Sequence, residues 1–310
     1  MKKLIIFVFC LIICVDIIDN RFLDNKIYSY IKSFINEEHY NIVINKNKLN
    51  NGKYKYNEFS SHVKSTNDFF PKSKNELLNM YYTFLNSGLT DFTYYCDKTY
   101  STCIDDIKEI SNDANTFSYI NQLVHPYNSF SEINSKYNLV TKRVDIIIDK
   151  KYSDDDIANI DNEINRICNK ININKYDSVR DKIKAFHDYI ADTNDYDRLK
   201  ESNNSDHNSD SAIGTLFEGY SICSGYSDTM AIFLNKLGLD NIKVITDKHV
   251  WNAVKIDNKW YHIDLTWDDP VILNGGNTIS HEYFLITSDE LQKKDITQHN
   301  YDKELYDFLN

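Results

Sequence analysis

Four side chains in the second half of the chain have the types that nucleophilic or metal chemistry needs. They are Cys223 in SICSGYSDTM, His249 in KHVWNAVKI, and His262 and Asp264 in KWYHIDLTWDDP. A thiol, an imidazole and a carboxylate in the order Cys223, His249, Asp264 can run covalent catalysis. The carboxylate orients the imidazole and supports its positive charge, while the imidazole takes the thiol proton and later returns one to the leaving group. Residue type alone leaves Cys223 equally open as a buried filler, half of a disulfide or a metal ligand. Cys223, His249, His262 and Asp264 also have the donor types of a zinc site, although their spacing is not a compact chelating motif.

Deciding between these readings depends on the elements that carry the residues. After Cys223, the residues Tyr226, Met230, Phe233, Leu234 and Leu237 fall on one helical face, and Gly238 reads as the C-terminal cap. Cys223 therefore falls in or just before the first turn of a helix, where the partial positive charge of the helix end favours thiolate over thiol. HVWNAVKI and KWYHIDLTW alternate as two strands joined through Asp257 and Asn258, both tolerant of turn conformations. With a two-residue turn, Lys255 opposes Trp260 and His249 opposes Thr266. Asp264, two residues from Thr266, then shares the face of His249 as its diagonal neighbour. A three-residue loop without a bulge would separate them. His262 lies on the same face but lacks a comparably placed carboxylate, so His249 is the better base. Trp251 and Trp260 would wall such a site, although core packing explains both as well.

Upstream, SKNELLNMYYTFLNSG has a helix start signal, helical apolar spacing and a terminal Gly88, and RVDIIIDK (143–150) reads as a strand. YSDDDIANIDNEINRICNKI predicts a helix opened by a capping box of Ser153 and Asp156. Its stripe is Ile157, Ile160, Ile164, Ile167, Cys168 and Ile171. A second helix in SVRDKIKAFHDYI buries Val179, Ile183, Phe186 and Ile190, with His187 beside that stripe as a core or surface histidine. Residues 199–211, LKESNNSDHNSDS, are too polar to order themselves by apolar burial. They read as a linker or as a flap over the site.

The 310 residues are 42% hydrophobic and 26% charged, ordinary for a globular protein and long enough for a substantial core. A net charge of −11, with no basic run, argues against nucleic acid as a partner. At the N-terminus, MKK precedes an apolar run from Leu4 to Val15 that is too short for a spanning helix of about 20 residues and fits a signal-peptide core. Cleavage, lipidation and anchoring all stay open, as does a short hydrophobic helix in a cytosolic protein. Secretion or cell-surface anchoring is the expectation, with membrane contact only through this segment. Of the six cysteines, Cys10 and Cys14 belong to it. Cys96 and Cys103 could pair across a short loop or be close by coincidence, and Cys168 reads as core packing. The chain thus divides into a targeting segment (1–20), an unassigned polar region (21–72), a mainly helical region with a strand near 143–149 (73–175) and a site-bearing domain (176–310).

GTLFEGYSICSGYSDTMAIFLNKLGL, HVWNAV and KWYHIDLTWDDP, in this order and spacing, resemble the transglutaminase-like superfamily from about residue 178 to 290. HDYIADTNDYD and HEYFLIT resemble the edges of bacterial members, and YYCDKTYSTC with VHPYNSF resembles some clostridial secreted members. The resemblance implies an α+β, papain-like core in which a helix carrying the nucleophile packs on an antiparallel sheet. It places the family's nucleophile, histidine and aspartate at Cys223, His249 and Asp264. It further implies acyl transfer from a protein or peptide amide through a thioester, with water or an amine as acceptor and no cofactor. Ile222 stands where animal transglutaminases have Gln, and no acidic calcium loop is recognisable, so calcium activation is not implied. Phe217 stands where papain-like proteases place an oxyanion-stabilising Gln. The Cys223 backbone N–H remains as one donor, with Tyr196 in NDYD a candidate for the second. A noncatalytic cell-envelope binding module on the same fold is the alternative function.

Overall fold

The computed structural model describes residues 70–86, 88–112, 120–121, 124–202, 204–269, 279–294, 297–303 and 306–309. The predicted targeting segment and nearly all of the polar region 21–72 lie outside the described residues.

Helix α1 (Lys74–Asn86) starts where Ser73 Oγ accepts the Glu76 N–H at 3.2 Å, and Gly88 follows it at φ 75°. Strands β1 (Asp91–Tyr95), β2 (Phe130–Tyr137) and β3 (Arg143–Lys150) form an antiparallel sheet in the order β1-β3-β2. Only β3 was legible in the sequence; β1 and β2 are short or polar on one face and lack its isoleucine run. Cys96, just after β1, is disulfide-bonded to Cys103, the first residue of α2 (Cys103–Asn112).

Helix α3 (Asp154–Lys170) has the predicted capping box of Ser153 and Asp156 and buries Ile160, Ile164, Ile167 and Cys168. Helix α4 (Val179–Thr193), capped by Ser178, buries Ile183, Phe186, Ile190 and also His187. Phe186 stacks at 3.8 Å on Phe233 of helix α5 (Cys223–Lys236). Every residue of α5 from Gly225 to Asn235 is buried, including Ser227, Asp228 and Thr229. The single apolar face read from the sequence is therefore only part of its contact surface, because neighbours enclose the helix on all sides.

Helix α5 packs on a second antiparallel sheet, β6 (Asn241–Ile245), β7 (Val250–Ile256), β8 (Lys259–Ile263) and β9 (Phe284–Ile286), in that order. Asn252 Nδ2 reaches across from β7 to the Ser227 carbonyl of α5 at 2.9 Å. Val254, Ile256 and Ile263 join α3, α4 and α5 in one apolar cluster, while Trp251, Ala253 and Val244 join the cluster of α1 and the first sheet. Strands β6 and β7 are buried along nearly their whole length, including the polar Asn241, Lys243 and Asn252.

The β7–β8 turn has the predicted two residues. Asp257 and Asn258 have φ of 50° and 63°, as a type I′ turn requires, and Lys255 opposes Trp260. The predicted continuation of β8 to Thr266 fails. The strand ends at Ile263, Asp264 becomes the N-cap of α6 (Leu265–Asp268), and its side chain accepts the Trp267 N–H.

The described residues 199–202 and 204–211 also depart from the expectation of a poorly ordered flap or linker. Polar contacts order them in place of apolar burial: Ser205 Oγ bonds Asp197 Oδ2 at 2.5 Å, Lys200 Nζ bonds the His207 carbonyl at 2.7 Å, and Asn208 Nδ2 bonds Glu218 at 2.7 Å.

Candidate functional site

The first residue of α5 is Cys223, and its neighbour Ile222 donates its N–H to the Ser209 carbonyl at 2.8 Å. This brings the 199–211 segment against the turn that carries the cysteine. Gly225 makes the approach possible, since a Cβ there would lie 2.3 Å from the Ser209 carbonyl oxygen. Strand β5 (Tyr220–Ser221), which feeds α5, pairs in parallel with β4 (Asp195–Tyr196), Tyr196 beside Ser221. Among the described residues, the free thiol of Cys223 is partly exposed, whereas that of Cys168 is buried.

His249 precedes β7, its backbone N–H donating to Thr246 Oγ1 at 3.1 Å. Its Nε2 lies 2.5 Å from Asp264 Oδ2, and Cys223 is near enough to act on its charge. Asp264 is 1% exposed, and burial alone would push its carboxyl up. The charges and N–H groups of His249 and His299 outweigh burial and hold it well below the usual carboxylate range. Burial pulls the imidazole of His249 down, but Asp264 and Cys223 pull harder, and it is raised to about 10. A carboxylate held ionised beside an imidazole held protonated, with a thiol nearby, can generate a thiolate and deliver a proton.

The remaining candidates separate. Trp251 stands beside His249 with ring centroids 5.6 Å apart. Trp260 does not wall the site; its ring packs 5.5 Å from Phe308, since β8 turns that side of its strand towards the C-terminal segment. His262 has both nitrogens committed: Nδ1 accepts from Trp251 Nε1 at 3.0 Å and Nε2 faces Ser288 Oγ at 3.1 Å. Burial, then the neighbouring His299, push it down to about 3, which keeps it neutral. The four-residue zinc set of Cys223, His249, His262 and Asp264 is therefore not assembled. Phe217 is 49% exposed in a π-helical turn (Gly214–Glu218). It lines a cavity of about 460 Å³ with Ile213 and residues of α3, none of them a site candidate.

One residue at the site escaped the sequence reading. His299 Nε2 lies 2.7 Å from the same Asp264 Oδ2 that meets His249, and its ring stacks on Tyr283 at 5.1 Å. Both separations are those of N–H groups donating to one carboxylate oxygen, too close for a cation between the atoms. His299 lies within a weakly patterned stretch, ITQHN, with no apolar period or turn signal to draw attention to it. Elsewhere, His187 bridges Asp268 at 3.2 Å and Asp188 at 3.0 Å, and Asp188 also meets His281 and Lys184. With the Lys184 ammonium already on Asp188, that cluster is balanced as an ion-pair network.

Comparison with known proteins adds a family to this geometry. No curated protein matches the chain. Among solved structures, one described as "Crystal structure of a TGase" is 22% identical with a TM-score of 0.34, covering 56% of this chain and 52% of its own. This chain thus spans about half the length of that one. Residues 166–265 match the family model described as the transglutaminase-like superfamily, a stretch that contains Cys223, His249 and Asp264 and ends before His299. The protein is an α+β chain whose residues 166–265 are similar to the transglutaminase-like superfamily.

Proposed function

We propose that the protein is an exported cysteine acyltransferase or amidohydrolase acting on protein or peptide amides through Cys223, His249 and Asp264. The observation that carries this reading is the 2.5 Å contact between His249 and Asp264, with Cys223 near the imidazole at the head of a buried helix. The Cys223 thiolate attacks the amide carbon, and the carbonyl oxygen takes up negative charge. The Cys223 backbone N–H, at the first position of α5, has no carbonyl of its own helix to bond and is aimed to receive that charge. His249 then gives its proton to the leaving amine and a thioester remains. Water or a primary amine, deprotonated by His249, attacks the thioester and releases Cys223.

Export is supported by the apolar N-terminal run and by the Cys96–Cys103 disulfide, a bond that persists in oxidising surroundings. Among the described residues, no helix is long and apolar enough to cross a membrane.

The test is a mass-spectrometric assay on glutamine-containing peptides, with and without added primary amine, using wild type and Cys223→Ala. Deamidated, cleaved or amine-linked products that require Cys223 support the reading and identify the acceptor. Peptide binding that survives Cys223→Ala, with no product from either protein, overturns it in favour of a noncatalytic binding module.

A further inference from the structure

The family match ends at residue 265, yet the carboxylate of Asp264 is held from outside that stretch. Two consecutive residues of the C-terminal segment do this. Gln298 accepts at its backbone carbonyl from Thr246 Oγ1 (3.1 Å) and at Oε1 from Trp267 Nε1 (3.2 Å). Thr246 Oγ1 in turn accepts the His249 N–H, and Trp267 donates its own N–H to Asp264 Oδ1 at 3.2 Å. Gln298 therefore ties the loop that carries His249 to the turn that carries Asp264. The next residue, His299, donates to Asp264 directly, and its ring is enclosed by Trp251 (4.8 Å), Tyr283 (5.1 Å) and Trp267 (5.4 Å). Farther along, Tyr306 Oη accepts the Ile245 N–H at 3.3 Å and the Leu309 carbonyl accepts from Ser288 Oγ at 2.9 Å, so the segment is docked at several points.

We propose that His299 is a positioning residue for the Cys223–His249 pair, one that holds the Asp264 carboxylate in the orientation in which it accepts from His249. The proposal rests on the catalytic reading of Cys223 given above. A carboxylate has two oxygens and rotates about its bond to Cβ. With Trp267 N–H on Oδ1 and His299 Nε2–H on Oδ2, Asp264 is fixed from both sides before His249 is considered. Removing the second donor frees Oδ2 to turn away and loosens the imidazole. His299 touches neither the sulfur nor the substrate in this account and acts only through Asp264.

Two substitutions in the full chain separate this role from simple packing. His299→Gln keeps an N–H donor near the position of Nε2 but loses the ring. His299→Phe keeps the ring against Trp251 and Tyr283 but loses the donor. The readout is the rate of Cys223 alkylation by iodoacetamide near neutral pH, followed by peptide mapping, so no substrate is needed. His249→Ala is run in parallel, and thermal melting confirms that each variant is folded. The expected result is a rate within about threefold of wild type for His299→Gln and about tenfold or more lower for His299→Phe, the range seen when supporting hydrogen bonds of a site are removed. A slow Gln variant beside a fast Phe variant assigns His299 to packing and overturns the proposal, as does a wild-type rate in both. If His249→Ala itself leaves the rate unchanged, the catalytic reading has failed, and with it the proposal. A drop for His249→Ala with none for His299→Phe sinks the proposal alone.

Discussion

Lys243 and Asp228 form an ion pair closed to solvent, with Nζ 2.6 Å from Oδ1 and the two side chains 1% and 3% exposed. It joins strand β6 to the middle of helix α5. Tyr152 completes the network, donating to Asp228 Oδ2 at 2.9 Å and accepting the Ala212 N–H at 2.9 Å. Burial pushes the Lys243 ammonium down, and Asp228 opposes that loss. Asp228→Ala leaves a buried cation with no counter-charge and is expected to cost about 3–5 kcal/mol, whereas the double change Asp228→Leu with Lys243→Met costs much less. Urea unfolding of the three proteins measures this; a single variant no weaker than the double refutes it.

Gly225 is required by the close approach of a backbone. A Cβ added there meets the Ser209 carbonyl oxygen at 2.3 Å, Ser221 Oγ at 2.9 Å and Thr215 Oγ1 at 3.0 Å. Gly225→Ala is expected to destabilise by about 1–3 kcal/mol, because backbone atoms cannot yield as a flexible side chain can. The displacement falls on the turn that carries Cys223, so thiol alkylation is expected to slow in the same variant. Unfolding curves together with the alkylation rate check both.

The pH dependence of stability follows from the His249–Asp264 pair. His249 rises from its ordinary 6.5 to about 10, so it stabilises the folded state fully below about 6.5, and that contribution is lost as pH rises through about 10. Asp264 is depressed below its ordinary 3.8, so its contribution is present above that value and is lost as pH falls through its folded value. Asp264→Asn removes both. The stability gap between wild type and variant is therefore expected to be widest from about pH 4 to 6.5 and to shrink toward about pH 10. Denaturant unfolding across that range tests it, and a gap that grows with pH contradicts the assignment.

Cys168 and Cys223, the free thiols among the described residues, are expected to behave differently toward iodoacetamide in neutral solution. Cys168 is enclosed and its thiol is pushed up by burial, which disfavours the reactive thiolate. Cys223 is partly exposed beside the imidazolium of His249. Cys223 should label while Cys168 stays intact, and His249→Ala should slow Cys223 by about a hundredfold, as removal of a base does. Equal labelling of the two cysteines in the folded protein counts against the pair.

The hairpin shows how far the sequence could carry the site. Alternating residues on either side of Asp257–Asn258 specify the two-residue turn and hence that Lys255 opposes Trp260, because side-chain direction in a strand has a period of two. Parity also places His249 and Asp264 on one face. It does not foresee that β8 stops at Ile263 and that Asp264 caps a new helix, since capping competes with pairing and depends on which neighbour is present. The same limit applies to residues 199–211, where low hydrophobicity is visible in the sequence but the pairing of their polar groups with one another, Asp197 and Glu218 is not.

Local chemistry in the sequence thus determined the helices opened by Ser73, Ser153 and Ser178, the strand at Arg143–Lys150, and the position of Cys223 at the head of α5. Caps and short periods act between residues a few positions apart, so they can be read in order along the chain. The tertiary structure alone decided that Lys243 meets Asp228, that Trp260 turns toward Phe308, and that His299 shares a carboxylate oxygen with His249. Those contacts join segments remote in sequence, and their partners follow from how the sheet and helices pack, which no local pattern encodes.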